Sequence, residues 1–390
     1  MNKFFLTCCL YCLTTIARPD CDVYAQKQVG NGANGAILVA ASNASSKIRA
    51  AADFVCDGEG DQEEIRQAIL ALPEAGGTVR LSGGTFDIKH VPETLGGVLI
   101  DRSNVTLAGQ GAATKLIQAA DQNTNVIRII GSDVGYITIR DLYVDANSDQ
   151  NQNDDGDPNV SHARFEFCGI KAFYTYPGGP TGLRNHHITI ENCHVHNAKR
   201  LGIMLEGSYM NVINNHLGNA GSDVVEILTG PGIIRGNQVE ITGPTHVAIG
   251  SDRGNDIIMS NNIVRVREGA DLDIGFRSWA NSERHVIANN VLTVDEGGHC
   301  DYAMDVRGKG AAITGNTIHS SNSDQRLPVW ITGYNTVISG NLFENVELVI
   351  EDLTELKKPI LVQGNIFDKS GITHKQGRLV KGSNVLPADE

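Results

Sequence analysis

Short runs of alternating apolar and polar residues recur along this chain, and an asparagine closes one run of each repeat. The steps between successive closing asparagines are 22 to 28 residues. A strand-like unit that recurs at such a period is typical of a solenoid. The unit lacks the Leu-x-x-Leu-x-Leu spacing of leucine-rich repeats, so the pattern predicts a parallel β-helix. The closing asparagines are Asn192, Asn215, Asn237, Asn262, Asn290, Asn316, Asn341 and Asn365.

One segment near the start departs from the strand pattern. Ile65, Ile69 and Leu72 are spaced i, i+4, i+7, which predicts a short amphipathic helix beginning at Gln62. Asp61 is the expected N-cap residue. A helix at this place would cover the open end of the solenoid, where exposed strand edges could otherwise pair with another chain.

The N-terminus has the features of an export signal. Lys3 precedes a short apolar run over 4–17, and Val-Tyr-Ala at 23–25 resembles an A-x-A cleavage site before Gln26. We therefore expect a signal peptide over 1–25 and a secreted or periplasmic protein. No later run is long enough to span a membrane.

The remaining chain divides by composition. Residues 26–48 are rich in Gly, Asn, Ala and Ser, which predicts a flexible leader. Residues 49–390 are expected to form one β-helix catalytic domain, as a monomer. Four cysteines follow the predicted signal, without a CxxC pair, so a zinc site is not expected. These are Cys56, Cys168, Cys193 and Cys300.

The formal net charge of −13 argues against a nucleic-acid partner, since non-specific binding to nucleic acid needs a basic surface. It also means that an acidic polymer would have to be captured by a local group of cations or by a bridging metal ion.

Candidate chemistry follows from the register of the strands. If apolar residues such as Ile170 and Ile203 point inward, alternation places a set of charged residues outward. Neighbouring rungs are about 4.8 Å apart, so these side chains would form one charged stripe. A solvated surface of alternating charges is the simpler interpretation, but a long polar segment at 146–167 beside the stripe favours a functional site. The outward set contains Lys171, Glu206, Glu226, Asp252, Arg277, Asp305 and Arg307, and Lys199, Arg200 and Arg253 lie in adjoining turns.

Cations next to carboxylates suit an acidic polysaccharide. β-Elimination on a uronate requires neutralisation of the C6 carboxylate, a base that takes the C5 proton and an acid that protonates the O4 leaving group. A lysine can be the base if neighbouring arginines lower its pKa. The alternative on the same face is hydrolysis by two carboxylates from Glu206, Glu226, Asp252 and Asp305.

From Ala52 to about Asp368 the chain resembles the pectate-lyase-like superfamily of right-handed parallel β-helices. The opening motifs Gly58-x-Gly60-Asp61, Gly-Gly-Thr-Val at 76–79 and Gly-Gly-Thr-Phe at 83–86 carry that resemblance. It implies an all-β solenoid with a short N-terminal capping helix.

A narrower resemblance is to the catalytic module of mannuronan C5-epimerases. It rests on Val-Asp-Ala-Asn at 144–147, Cys-Gly-Ile-Lys-Ala-Phe at 168–173, Pro-Gly-Gly at 177–179 and Ile-Thr-Ile-Glu at 188–191. It implies that Lys171 is an active-site residue. The epimerase sequence Tyr-Gly-Phe-Asp-Pro-His is replaced here by Leu-Gly-Ile-Met-Leu-Glu at 201–206.

A second resemblance is to β-helix alginate lyases of the chondroitinase-B-like group. Val-Glu-Ile-Leu at 225–228 and Asp-Arg-Gly-Asn at 252–255 are similar to their rungs. This implies Glu226 as a calcium ligand, with calcium as a candidate cofactor, and Arg253 as the acid. The lysine that follows five residues after the glutamate in that group is Pro231 here.

Together these features predict an exported lyase that acts on alginate or a related polyuronate. A C5-epimerase, a glycoside hydrolase and a non-catalytic carbohydrate-binding protein are the alternatives. The predicted catalytic residues are Lys171, Lys199, Arg253, Arg277 and Tyr174, and the predicted substrate-binding residues are Arg200, Glu206, Asp252, Arg307 and Tyr176.

Overall fold

The computed structural model describes residues 36–386, apart from 93, 95, 123, 132, 152–166, 173–184, 323–324 and 352–357. The described residues form a parallel β-helix of about ten turns, in which each turn contributes one strand to each of three parallel sheets. The predicted fold class, an all-β right-handed parallel β-helix with a short N-terminal helix, is confirmed.

Sheet A has 14 strands within the described residues. They are Ala36–Ala40, Phe54–Val55, Gly77–Leu81, Val105–Ala108, Gly135–Arg140, His186–Glu191, Met210–Ile213, Gly232–Arg235, Ile257–Ser260, Val286–Ala288, Ala312–Thr314, Thr336–Ser339, Pro359–Gln363 and Arg378–Lys381.

Sheet B has 11 strands in the described part of the chain. They are Gly84–Ile88, Thr114–Gln118, Tyr143–Asp145, His194–His196, His216–Gly218, Gln238–Ile241, Ile263–Val266, Val291–Val294, Thr317–Ser320, Leu342–Glu344 and Ile366–Asp368.

Sheet C also has 11 described strands. They are Gly96–Ile100, Asn125–Ile129, Ile170–Ala172, Ile203–Gly207, Asp223–Thr229, Thr245–Ser251, Asp271–Ser278, His299–Val306, Leu327–Ile331, Val346–Glu351 and Gly371–Gln376.

The core is a stack of aliphatic side chains inside the coil. Ile170, Ile203 and Val225 occupy one register position on successive rungs of sheet C, and each is fully buried. A slip of one residue would bring the neighbouring charged residues inside, where unpaired charges are costly. The register is therefore fixed by the inward aliphatic residues.

An asparagine ladder runs along the turn between sheets A and B. Each of the first seven side-chain amides donates to the Oδ1 atom of the next asparagine at 2.8–3.0 Å and to a backbone carbonyl, and each Oδ1 also accepts a backbone N–H. Every polar atom of these seven buried amides is thus engaged, which stabilises the stack. The ladder consists of Asn215, Asn237, Asn262, Asn290, Asn316, Asn341, Asn365 and Asn384.

The prediction that Asn192 belongs to this series is wrong by one position. Cys193 occupies the ladder position on that turn, and its backbone N–H donates to Oδ1 of Asn215 at 2.9 Å. Asn192 belongs to an adjacent column of left-handed residues, with φ between 53° and 68°, where asparagine and glycine are favoured. That column contains Asn192, Asn214, Gly236, Asn261, Asn289, Gly315, Gly340 and Gly364.

The N-terminal end of the coil is closed by a helix over Gln62–Ala71, which buries Ile65 and Ile69 and packs against first-turn strands of all three sheets. Asp61 precedes it as predicted, but its carboxylate makes no cap bond to the helix. It accepts backbone N–H groups from Gly58 and Asp87 instead.

The predicted leader over 26–48 is wrong for its second half. Ala36–Ala40 is a strand that pairs with Gly77–Leu81, and Ser46–Ala51 is a short helix. The physical reason is the alternating apolar content of Ala-Ile-Leu-Val-Ala, which buries Ile37 and Val39 in the first turn. Residues 26–35 and the predicted signal peptide lie outside the described residues.

The four cysteines that follow the predicted signal are all buried, which suits their character as small apolar side chains. A membrane-spanning helix is not found: none of the described helices has the length and apolar character to cross a bilayer.

Candidate active site on the outer face of sheet C

A column of outward residues follows the middle of sheet C, one residue from each turn. The register pairs them in succession, so that neighbours are about 4.8 Å apart. We call it the central column. It consists of Arg128, Lys171, Met204, Glu226, Gly250, Arg277, Asp305 and Trp330.

The N-terminal end of the central column carries two basic residues. Arg128 and Lys171 are register neighbours, and each residue is only 1% exposed. Simple alternation suggested that Lys171 projects freely into solvent, and the structure shows that it does not. It lies on the outer face of the sheet and is covered there. Two basic residues on adjacent rungs make this part of the column cationic.

The next rung is apolar. Met204 lies above Lys171 in register, and it packs with Cys168, Leu201 and Leu228 in a small buried cluster outside the coil. Leu201 and Met204 are residues of the segment where the epimerase motif has a tyrosine and an aspartate. The apolar cluster therefore takes the place of those two polar side chains.

An acid cluster of Asp223, Glu226 and Asp252 follows, two rungs from Lys171 and held by one guanidinium. The Nη2 atom of Arg277 lies 2.5 Å from Asp223, 3.2 Å from Glu226 and 2.6 Å from Asp252. Arg277 is almost fully buried, and three carboxylates share its single positive charge. Full ionisation would leave an excess of negative charge, so the cluster favours a retained proton.

That proton belongs on Glu226. Burial, and then the negative charges of Asp223 and Asp252, raise the pKa of Glu226 well above its ordinary value. Burial also raises the pKa of Asp223, against the lowering effect of Arg277. Glu226 and Asp252 both contact Nη2 of Arg277, and the Asp252 side chain is 36% exposed, so the buried cluster reaches the surface through Asp252.

Gly250 makes this arrangement possible. It is the register neighbour of both Glu226 and Arg277, and a Cβ atom there would lie 3.4 Å from Nε of Arg277 and 3.2 Å from a methyl group of Val247. Because the position has no side chain, Arg277 can lie back across the rung and reach Glu226.

The other predicted residues lie at different places around the column. Glu206 lies on the rung of Met204 and faces Arg253, whose half-exposed guanidinium is 3.8 Å away. Arg307 lies two residues after Asp305 and forms a bidentate ion pair with it. The stripe predicted as one column is thus two: Lys171, Glu226, Arg277 and Asp305 share the central column, while Glu206, Asp252 and Arg307 lie beside it.

Two predicted residues lie at the start of sheet C. Lys199 and Arg200 are in the turn before the Ile203–Gly207 strand, and the Lys199 ammonium lies 5.3 Å from the centre of the Phe167 ring. The structure therefore places them at the margin of the central column. Tyr174 and Tyr176 lie outside the described residues.

The carboxylates do not fit a calcium site at Glu226. The guanidinium of Arg277 stands where a cation would bind the three carboxylates, and Glu226 favours its protonated form, which is a poor ligand for a hard cation.

The geometry also bears on hydrolysis by two carboxylates. Glycosidases keep their two carboxyl groups about 5 Å or more apart, with room for a sugar or a water between them. Glu226 and Asp252 instead contact one Nη2 atom of Arg277, at 3.2 and 2.6 Å. The guanidinium lies between them, so this pair is not arranged to act from two sides of a glycosidic bond.

Sequence reasoning missed four residues of this face: Arg128, Asp223, Trp279 and Trp330. Arg128 could have been found by extending the alternation to Ile127 and Ile129, which are buried on either side of it. Asp223 could not, because Val224 and Val225 both belong to the core and break the alternation just after it. The two tryptophans give a compositional signal, since the chain has no others.

Comparison with known proteins gives one similar sequence and several similar folds. No protein-family model matches the chain. Alginate lyase 7 of Azotobacter vinelandii is 28% identical over 158 residues, which are 38% of this chain and 17% of that protein. The chain therefore corresponds to a small part of the length of that relative.

Two solved structures are similar in fold. The A-module of the mannuronan C-5 epimerase AlgE6 of Azotobacter vinelandii has a TM-score of 0.60 and 19% identity, over 85% of this chain and 97% of that one. DFA-IIIase of Arthrobacter chlorophenolicus A6, in complex with DFA-III, has a TM-score of 0.51 and 13% identity, over 88% and 86%.

These identities support a common fold and, by themselves, no common activity. They agree with the resemblance to pectate-lyase-like β-helices that the motifs indicated. The chain is a parallel β-helix protein, similar in part of its sequence to an alginate lyase and in its fold to a mannuronan epimerase module.

Proposed function

We propose that this protein is a polysaccharide lyase that cleaves alginate, or a related polyuronate, by β-elimination. The observation that carries the proposal is the central column itself. It places Lys171 two rungs, or about 10 Å, and Arg128 three rungs, or about 14 Å, from Glu226, whose raised pKa favours a retained proton. A cationic site and a proton donor on one face are what elimination on a uronate requires.

The proposed reaction divides its steps between the basic residues at the N-terminal end of the central column and the acid cluster near its middle. Lys171, after losing its own ammonium proton, takes the C5 proton, while Arg128 neutralises the C6 carboxylate and so stabilises the developing negative charge. The electron pair forms the C4–C5 double bond, and the C4–O4 bond breaks. The leaving O4 takes the proton retained by Glu226, and Asp252 relays it because its side chain is the more exposed of the two.

Arg277 has a supporting part in this scheme. Its three ion pairs hold the acid cluster together, so it is not free to neutralise a substrate carboxylate. Arg253 is half exposed at the rim and takes the role of a substrate-binding cation. Lys199 is the second candidate for the base, from the turn next to Lys171.

The sequence similarity to an alginate lyase supports the substrate class. It covers 38% of this chain. The apolar cluster around Met204 supports elimination over epimerisation, because an epimerase must return a proton to C5 and the polar residues that the epimerase motif supplies are replaced there by Leu201 and Met204.

The test is a screen of purified protein against polyuronates. Ultraviolet absorbance of the new C4–C5 double bond should rise with alginate, and the rate should be unaffected by a chelator. A changed ratio of uronate epimers by NMR, without a rise in absorbance, would make the protein an epimerase. New reducing ends without absorbance would make it a hydrolase, and binding without any product would make it a carbohydrate-binding protein.

Export is part of the proposal, since a polymeric substrate is met outside the cytoplasm. We expect mature protein from the native source to begin at Gln26. Mass spectrometry of its N-terminal peptide measures this directly, and a peptide that retains residues 1–25 would contradict it.

A further inference from the structure

Both tryptophans of the chain lie at one place on the outer face of sheet C. Trp279 follows the Asp271–Ser278 strand, and Trp330 lies in the Leu327–Ile331 strand, where it is the register neighbour of Asp305. Each ring is partly exposed. Sugar-binding surfaces use partly exposed aromatic rings, because the C–H groups of a pyranose pack well on an apolar face.

Arg307 lies between the two rings. Its guanidinium carbon is 4.0 Å from the centre of the Trp279 ring and 4.9 Å from the centre of the Trp330 ring. These distances are within the range of cation–π attraction. We call Trp279, Arg307 and Trp330 the aromatic clamp.

Further contacts fix the orientation of the clamp. The buried carboxylate of Asp305 accepts from Nε of Arg307 at 2.9 Å and from Nη2 at 2.7 Å. The indole N–H of Trp330 donates to Glu351 at 3.1 Å, and its ring stacks on Tyr302 at 5.7 Å. A guanidinium held in this way loses little conformational freedom when it binds a ligand.

One edge of the Arg307 guanidinium, the Nη1 amino group, is not used by the contacts described above. The contacts that the structure gives Arg307 within its described residues use Nε, Nη2 and the planar faces, and the side chain is 31% exposed. The Nη1 amino group is therefore able to donate to a carboxylate that approaches from solvent.

We propose that the aromatic clamp is a binding subsite for a carboxylated sugar residue of the substrate. The uronate carboxylate pairs with Nη1 of Arg307, and the exposed parts of the two indoles contact the C–H groups of the ring. The inference rests on the proposed function for the identity of the polymer, but the chemistry of recognition is that of any acidic sugar.

The position of the clamp sets a minimum length for good substrates. Arg307 lies three rungs from Glu226, which is about 14 Å along the axis. That distance exceeds one sugar ring, so only an oligosaccharide can occupy the clamp and the acid cluster together. Short oligomers should therefore bind weakly and react slowly.

The experiment uses the intrinsic fluorescence of the two tryptophans, which report on the clamp alone because the chain has no others. Purified full-length protein is titrated with oligomannuronates of increasing length and, as a matched neutral ligand, with the same oligomers after carboxyl reduction. A saturable change in emission with the acidic oligomers is expected, with affinity that increases with length. The reduced oligomers should bind at least about tenfold more weakly, because they lack the charge-assisted hydrogen bond.

Two variants locate the effect. Arg307→Gln should weaken the binding of acidic oligomers to the level of the reduced oligomers. Arg284 is an exposed arginine that pairs with Asp256 outside this face, and Arg284→Gln should leave the affinity unchanged. Trp330→Phe should keep the fold and weaken binding several-fold. An unchanged emission, or equal losses for Arg307→Gln and Arg284→Gln, would overturn the clamp.

The two proposals fail separately. The protein could cleave alginate by β-elimination while the tryptophan emission does not change and Arg307→Gln leaves the KM for long chains unchanged. In that case the clamp is wrong and the lyase assignment stands. If acidic oligomers change the emission and Arg307→Gln abolishes this, but no double bond forms, the clamp stands and the lyase assignment is wrong.

Discussion

The asparagine ladder and the central column both run along the solenoid, and they differ in how their residues repeat. The ladder places the same amide on eight positions, from Asn215 to Asn384, and each satisfies the next. The central column changes its residue at every rung, from Arg128 to Trp330, and brings like charges together. In the acid cluster, three carboxylates share one guanidinium, and burial with neighbouring charges raises the pKa of Glu226.

This contrast indicates what each region is for. A residue repeated at one register position solves the same packing problem in each turn, and its value is stability. A position that varies from rung to rung, and keeps buried charges there, is tolerated at a cost in stability that a functional site explains. Substitutions in the two regions should therefore have opposite consequences for stability and for activity.

The largest effect is expected on activity, at the N-terminal end of the central column. Lys171→Met keeps the length of the side chain and removes the amine, which should lower turnover by roughly 10²- to 10⁴-fold, the usual contribution of a general base. Elimination on alginate, followed by absorbance, measures this.

Methionine is chosen because Lys171 is buried, so truncation to alanine would leave a cavity and confuse activity with stability. Lys115→Met, at an exposed lysine on sheet B, is the matched control and should retain full activity. If Lys171→Met folds and stays active, this lysine is not the base.

The largest effect on stability is expected in the ladder. Asn290→Ala removes hydrogen bonds to Met259, Asn262 and Asn316 and leaves buried partners without a replacement. We expect a loss of roughly 3 kcal/mol in the free energy of unfolding, measured with urea, and unchanged turnover at temperatures where the variant is folded.

Asn289→Gly is the control for that prediction. Asn289 is the adjacent left-handed residue, with φ of 55°, a conformation that glycine adopts easily. The free energy of unfolding of this variant should change by less than about 1 kcal/mol, because the relief of the left-handed conformation and the greater chain entropy of glycine oppose each other. Equal losses in the two variants would show that the ladder bonds are not the source of the effect.

The acid cluster predicts a dependence of stability on pH. Because the folded state raises the pKa of Glu226 above its ordinary 4.5, the folded protein keeps a proton that the unfolded chain releases. The contribution of Glu226 to stability is present below about pH 4.5 and is lost as pH rises through the folded pKa.

Glu226→Gln, which cannot ionise, tests that sign. Relative to wild type, the variant should gain stability as pH rises from 4.5 towards neutral, in urea unfolding measured at a series of pH values. Parallel curves for the two proteins would mean that Glu226 ionises in the folded state as it does in the unfolded chain.

The smallest effect is expected at the glycine that the guanidinium crosses. Gly250→Ala places a Cβ atom 3.2 Å from Val247 and 3.4 Å from Arg277, which should displace Arg277 and cost about 1 kcal/mol, with a several-fold loss of activity. Gly243→Ala, where a Cβ atom meets no atom within 4 Å, is the control and should be neutral.

The sequence was sufficient for the fold because the inward positions repeat. Aliphatic residues such as Ile203 and Val225 return at each rung and fix both the register and the outward face. The ladder was also visible, but a column of left-handed asparagines lies directly beside it, and only the hydrogen bonds separate Asn192 from Cys193.

The candidate site was less predictable because its important properties come from contacts between distant turns. Alternation correctly placed Glu226 and Arg277 on the outward face. It could not predict that Arg277 contacts Asp223, which lies 54 residues away in the sequence. Alternation also does not predict the exposure of an outward side chain. Lys171 and Arg277 point away from the core and are still buried. Both tryptophans were visible in the sequence, yet their common position depends on the fold.

The measurement that tests the central claim most directly is the absorbance of the C4–C5 double bond when purified protein acts on alginate, with Lys171→Met and Lys115→Met alongside. The account predicts rising absorbance for wild type and for Lys115→Met, and a rate lower by at least about a hundredfold for Lys171→Met. No rise with any polyuronate, or an equal rate for Lys171→Met, would contradict the assignment of elimination to the central column of sheet C.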